Sequence, residues 1–266
     1  MMEAQKPNCQ SAKKTRRTLY QLFFKRFFDV VLSLLAIILL SPLFLVIWIL
    51  HKIFIRGGSV IFTQYRPGLN GKIFKIYKFR SMTNEKDEAG NYKPDIYRIT
   101  TFGKILRKLS LDELPQLFNI LKGDMSIVGP RPRMLKDVVF YDQAALATYR
   151  VRPGLTGMDQ VSNGRQGLSW EDTFAIDEKY ASKVTFWRDL WILLKTPFAI
   201  FGGSKNGAEV GSKGLYGNYL LRAGKITAEQ YKARIKLAKD LSKPHAVLRE
   251  PLEHIETNQT PTESLN

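Results

Sequence analysis

The sequence predicts an α+β protein held at a membrane. It combines one long apolar helix, a small β-hairpin, further helices at the membrane interface and a short helical C-terminal appendage. Three observations carry this. Twenty uncharged residues run from Val30 to Ile49. Two β-rich runs, 60–65 and 72–79, flank a loop containing Pro-Gly and Asn-Gly turn dipeptides. Residues 186–201 place Trp187, Leu190, Trp191, Leu194 and Phe198 on one helical face.

The apolar stretch is the first element. As a straight helix, residues 30–49 reach roughly 30 Å, one hydrocarbon thickness. A signal peptide has a shorter apolar core of ~7–15 residues and a small-residue cleavage site; here the chain continues His51-Lys52 with no such site. Lys13, Lys14, Arg16, Arg17, Lys25 and Arg26 lie upstream, and His51, Lys52 and Arg56 downstream. Positive charge marks the cytoplasmic side of a segment, and here both flanks qualify. Ser41-Pro42 stands in the middle. Proline removes a helical hydrogen bond and clashes with the preceding turn, while serine can satisfy the freed carbonyl. A helix broken there re-enters the leaflet it left; a proline-kinked span is the other reading.

The hairpin follows, with Arg66 to Gly71 as its loop. Its cations fit a solvated edge strand. Residues 84–98 are polar, contain Gly and Pro, and read as an exposed loop.

The centre, residues 103–133, reads GKILRKLSLDELPQLFNILKGDMSIVGPRPR. Asp112 and Glu113 stand together. Ser110 with Glu113 three residues on fits a capping box, although Pro115 sits poorly inside such a helix. Catalysis is the competing reading. Arg107 and Lys108 precede the pair, and in Gly129-Pro130-Arg131-Pro132-Arg133 two prolines hold an arginine in extended backbone. A pre-positioned guanidinium suits phosphate oxygens. Carboxylates and fixed arginines beside a membrane segment suggest magnesium-assisted phosphoryl chemistry at the bilayer surface.

Composition narrows the classes. Of 266 residues, 44% are apolar, enough for a core, and 41 Lys+Arg against 24 Asp+Glu leave a net charge of +17. That excess calls for a polyanion: nucleic acid, anionic lipid or a phosphorylated substrate. A single cysteine, Cys9, excludes a disulfide within the chain. His51, His245 and His254 are too scattered for a Cys/His zinc site, and neither GxGxxG nor GxxxxGK[ST] occurs.

The motifs FKRFFDVVLS, Ser41-Pro42, VIFTQYRPG, FKIYKFRSM, LSLDELPQLFNILKGDMSIVGPRPR and VRPGLTG, in this order, resemble the bacterial sugar transferase family, the monotopic phosphoglycosyl transferases. The match runs from about Phe24 to Phe201. The resemblance implies transfer of a phosphosugar from a UDP-sugar to polyprenyl phosphate with release of UMP. It implies a re-entrant helix broken at Ser41-Pro42, and a place on the cytoplasmic face of the bacterial inner membrane. It makes Asp112 the nucleophile and Glu113 a Mg2+ ligand, sets Arg131 on phosphate with Arg107 supporting the same site, and counts Lys78 and Arg80 among the substrate-binding cations. The family's later nucleotide-binding arginine corresponds to Arg165, within GMDQVSNGR, which has one residue more than the compact pattern and Met158 where an aromatic is usual. Asp177 and Tyr180 also occupy matched positions, and a helix surface suits both equally well.

These readings divide the chain into a basic N-terminal tail (1–23), a membrane-associated transferase domain (24–203, with 27–50 as the re-entrant helix), a helical C-terminal module (204–250) and a disordered tail (251–266). Helix 186–201 fits either the core or the interface. In the module, Thr227 and Gln230 form a capping box with an Ile226–Tyr231 staple, starting a helix to about Leu241. The stretch resembles a short two-helix oligomerisation module, so a homo-oligomer is a further expectation. The expected partners are thus a UDP-sugar, polyprenyl phosphate and anionic membrane lipid, without nucleic acid. Two alternatives stay open: a membrane-anchored scaffold with a basic anion-binding face, and direct attack by polyprenyl phosphate without a covalent intermediate.

Overall fold

A computed structural model of the protein describes residues 18–55, 58–162, 168–201, 214–243 and 246–248. A π-helical turn, Tyr20–Phe24, leads into α1 (Lys25–Phe54), followed by β1 (Ile61–Pro67) and β2 (Ile73–Phe79). Next come α2 (Asp95–Arg98), α3 (Thr101–Lys108), a 3-10 turn at Leu111–Glu113, α4 (Gln116–Lys122) and β3 (Ser126–Val128). Then follow α5 (Leu135–Val138), α6 (Gln143–Leu146), β4 (Gly154–Thr156), α7 (Met158–Ser162), α8 (Trp170–Ser182) and α9 (Phe186–Phe201). The C-terminal pair is α10 (Tyr216–Arg222) and α11 (Ala228–Asp240).

Helix α1 stays helical through Ser41-Pro42, where the sequence suggests a break. The Ser41 hydroxyl donates to the Ile38 carbonyl at 2.8 Å, the acceptor that Pro42, lacking an N–H, leaves unused. One face of α1 packs inward along nearly its whole length. Asp29 accepts from Ser126 Oγ (3.0 Å) and the Ile127 amide (2.8 Å). Farther on, Ile37, Leu40 and Phe44 meet Phe74, Ile76, Leu117 and Ile120, and Ile47 joins Val60, Phe79 and Leu106. The opposite face exposes Leu35, Ile38, Leu39, Leu45, Trp48 and Ile53.

The hairpin forms as the turn dipeptides require, antiparallel with Ile61 opposite Phe79 and Pro67 opposite Ile73. Asn70 takes the left-handed conformation (φ 55°) that asparagine tolerates. The first strand extends two residues beyond the expected Tyr65, so Arg66 lies within β1 and not in the loop. The 84–98 segment is largely exposed, with one helical turn, α2.

Strands β3 and β4 pair in parallel, Ser126 opposite Gly154 and Val128 opposite Thr156. Here the GPRP and VRPGLTG runs touch backbone to backbone. A Cβ on Gly154 would lie 2.1 Å from the Gly129 nitrogen, so only glycine fits.

Helix α9 turns its aromatic face outward, with Trp187 and Phe198 at 75% and 77% exposure, while Asp189 and Ile192 are buried on the other side. The core alternative for this face is therefore not realised. Asp189 pairs with Lys25 Nζ at 2.6 Å and accepts from Tyr20 (2.8 Å) and Tyr180 (2.7 Å), fastening α1, α8 and α9 together. Tyr180 and Asp177 are buried, which corrects the helix-surface reading of both.

The C-terminal module does not stand apart. Leu220 and Ala238 close a core with Ile73, Leu135, Val139 and Phe140, and the apolar side of the pair faces inward. The expected capping box at Thr227 is present, and α11 ends at Asp240, one residue before the expected Leu241. The boundary at 203–204, the N-terminal residues 1–17 and the 251–266 tail lie outside the described residues.

Candidate active site

After α3, Ser110 enters the left-handed region (φ 56°) and turns the chain sharply into the 3-10 turn that carries Asp112 and Glu113. This conformation is unlike the extended backbone of an N-cap, and Ser110 makes no capping hydrogen bond. Pro115 takes the N-cap place of α4, and the Glu113 carboxylate turns elsewhere. The capping-box alternative is not realised.

One oxygen of Glu113 accepts two charged donors, Lys78 Nζ at 2.9 Å and Arg131 Nη2 at 2.6 Å. Lys78 comes from β2 and Arg131 from the GPRP loop after β3. Three elements thus meet at a single carboxylate oxygen. Burial alone would push the Glu113 carboxyl up, but Arg131 and Lys78 outweigh it and hold it far below the usual carboxylate range. The same pair holds the Arg131 guanidinium in its charged form, whereas burial pushes the Lys78 ammonium down despite Glu113.

Asp112, 8% exposed, sits in a different field. Burial pushes its carboxyl above the ordinary value, Lys78 opposes that, and the neighbouring Glu113 charge adds to it. Arg107 and Arg131 also act on Asp112, and Arg107 is steadied by donating from Nε to Ser81 Oγ at 2.8 Å. The result is a poorly hydrated carboxylate in the field of three cations, an arrangement suited to a nucleophile that attacks an anionic centre.

Not every expected cation joins this group. Arg80, just past the end of β2, donates to the Ser59 carbonyl (2.7 Å) and to Asn84 Oδ1 (2.8 Å) and lies over Phe62. Arg80 stands one residue past the end of β2 and turns to the Ser59 side of the hairpin, away from Glu113. Arg165 lies outside the described residues.

Beside the Glu113 cluster lies a second polar group that sequence reasoning missed. Arg133 Nη2 pairs with Asp159 Oδ2 at 2.9 Å, and the guanidinium lies over the Trp170 ring. Asp177 is buried nearby; burial first, and then Asp159, push its carboxyl well above the ordinary range. Arg66 donates to Gln64 Oε1 (2.6 Å) and to the Pro132 carbonyl (3.4 Å), and burial pushes it down to about 10. The second arginine of GPRPR and the matched position of Asp177 were the hints at this group in the sequence.

Magnesium habitually takes one or two carboxylates and fills its remaining positions with phosphate oxygens and water. Asp112 and Glu113 fit that habit. Among the described residues, no three His, Cys, Asp or Glu side chains gather into a metal cage.

The family of bacterial sugar transferases matches residues 20–203 of this chain. The sugar transferase EpsL of Bacillus subtilis is 43% identical over 175 residues, covering 66% of this chain and 86% of its own. The exopolysaccharide production protein ExoY of Rhizobium meliloti is 44% identical over 189 residues, 65% of this chain and 83% of its own. A UDP-glucose:undecaprenyl-phosphate glucose-1-phosphate transferase of Klebsiella pneumoniae is 42% identical over 189 residues, 67% of this chain and 40% of that longer protein.

Proposed function

Since the chain belongs to the bacterial sugar transferase family, we propose that it moves a sugar phosphate from a UDP-sugar to polyprenyl phosphate at the cytoplasmic face of the bacterial inner membrane. Support comes from the reaction named for the Klebsiella relative, and above all from the buried Asp112 beside a Glu113 fixed by Lys78 and Arg131.

In the first half-reaction an Asp112 carboxylate oxygen attacks the phosphorus bearing the sugar. An aspartyl O–P bond forms, the bond to the UMP oxygen breaks, and UMP leaves. In the second, a polyprenyl phosphate oxygen attacks the same phosphorus and releases the Asp112 carboxylate. Arg107, Arg131 and Lys78 offset the charge on the phosphoryl oxygens. Two half-reactions let a water-soluble donor and a membrane-held acceptor use one site in turn. Asp112 and Glu113 are the groups that would hold Mg2+, which when bound neutralises diphosphate charge.

We assign α1 a re-entrant course. The support is its inner face, packed from Asp29 to Ile47 on the same body that carries Lys78 and Glu113. A helix that crossed the bilayer would leave that body after its first turns.

Intact-mass measurement after incubation with UDP-sugars alone tests the chemistry. A mass gain of one sugar phosphate is expected in the wild type and none in Asp112→Asn, whose turnover falls by several orders of magnitude. Near-wild-type turnover in that variant would refute the assignment of Asp112.

A further inference from the structure

Residues beyond the family match, 214–248, dock on α5 and the chain after it, which directly follow the arginine-bearing loop, on the hairpin end and on α8, where Tyr219 donates to Glu171 and Tyr216 packs on Trp170 and Phe174. Three of these contacts bear on the loop. The Tyr216 amide donates to Asp137 Oδ1 at 2.9 Å. On α11, Arg234 donates to the Val139 carbonyl at 2.9 Å while Tyr231 stacks on Phe140. Segment 246–248 pairs with the hairpin end, Ile73 N to the Ala246 carbonyl (2.9 Å) and Leu248 N to the Gly71 carbonyl (3.0 Å).

These contacts bracket Arg66, which reaches the loop itself, and Asp137, which stands just after it. Arg66 lies six residues before Lys72 in the hairpin and donates to the Pro132 carbonyl. Asp137 lies six residues after Arg131, one helical turn past the loop. The Arg66 guanidinium and the Asp137 carboxyl act on one another through a buried, weakly screened medium. Two routes therefore lead to the loop: from Tyr216 to Asp137 and back along the chain to Arg133 and Arg131, and from segment 246–248 along the hairpin to Arg66 and the Pro132 carbonyl; the Arg131 guanidinium in turn holds Glu113.

We infer that the C-terminal helical pair, with segment 246–248, is a clamp that sets the position of the Arg131 loop, Asp137 and Arg66 being the positioning residues through which it acts. The inference rests on the proposed function only for its kinetic consequence; the mechanical coupling stands separately. The loop is held at its start by β4, and its guanidinium groups by Glu113 and Asp159; its other end runs straight into α5, so the fastening of α5 by the C-terminal pair bears on where the Arg131 guanidinium points.

Gly217 offers a way to release the clamp far from the chemistry. A Cβ there would lie 2.5 Å from the Phe140 ring, so Gly217→Val must lift α10 from α5. Hydrogen exchange, measured below the unfolding temperature, is expected to rise in 214–248 and in 129–135 but not in α4. The KM for the UDP-sugar is expected to rise about tenfold with kcat within twofold, because a displaced phosphate-binding arginine weakens ground state and transition state alike. Asp137→Asn, which keeps an acceptor for Tyr216 but loses the charge facing Arg66, is expected to give the same split. Partial unfolding alone would lower kcat at constant KM. Raised exchange confined to 214–248, with 129–135 and KM unchanged, would overturn the clamp. Raised exchange in 129–135 in a protein whose wild type transfers no sugar phosphate would uphold the clamp and defeat the transferase reading.

Discussion

Asp112 and Glu113 are neighbours with opposite electrostatics: burial raises one carboxyl, and two cations lower the other. The sign has a consequence for stability. Because the native Asp112 carboxyl binds its proton more readily than the unfolded one, its contribution to stability is lost as pH rises through the raised value and stays lost above it. Asp112→Asn is therefore expected to melt a few degrees higher than wild type at pH 7, the gain shrinking as pH falls toward the ordinary carboxylate range; equal melting temperatures throughout would show that burial costs Asp112 nothing. Glu113 is already neutralised by Lys78 and Arg131, yet a diphosphate brings further negative charge. Turnover is accordingly expected to vanish in excess chelator and to return with Mg2+, and full activity in chelator would remove the metal from the scheme. The dyad and Arg131 were legible in the sequence because each sits in a short run with its own chemical logic. The pairing of Arg133 with Asp159, 26 residues apart, was not, since no local pattern joins them.

Among the elements, α1 was legible as apolar and as proline-interrupted, but the backbone conformation at Ser41-Pro42 was not. A proline inside a helix costs about 3 kcal/mol. The serine bond to Ile38 and the packing of Ile37, Leu40, Phe44 and Ile47 on either side offset it. Those contacts lie in the tertiary structure, beyond any window of sequence. Helix α9 was ambiguous for a similar reason, since one apolar stripe suits a core or an interface equally; buried Asp189 and Ile192 on the reverse face show that the stripe is not the core side. Single cysteines placed before Phe27 and after Lys52, in a chain without Cys9, are expected to react only from the cytoplasmic side. Labelling of either from the opposite side would make α1 a span.

The whole molecule joins +17 of net charge to exposed apolar faces on α1 and α9. Charge acts over about 10 Å at 0.1 M salt and fades as salt rises, whereas apolar burial does not. Binding to anionic vesicles is thus expected to weaken several-fold between about 0.05 and 0.5 M salt without being abolished, as a sedimentation assay would read; complete release at high salt would mean that the apolar faces stay out of the bilayer.

The buried contacts of Asp29 also set a timetable for biosynthesis. Its partners Ser126 and Ile127 lie 97 and 98 residues downstream. At ribosomal rates of about 5–20 residues per second, α1 waits roughly 5–20 s after emerging before those partners exist. Throughout that delay an ionisable side chain near the helix start has no protein to bind and is held back at the headgroups. Until then α1 is expected to rest on lipid alone, so a chain truncated before Ser126 is expected to bind membrane without the Asp29 anchor that fastens α1 to the rest of the molecule.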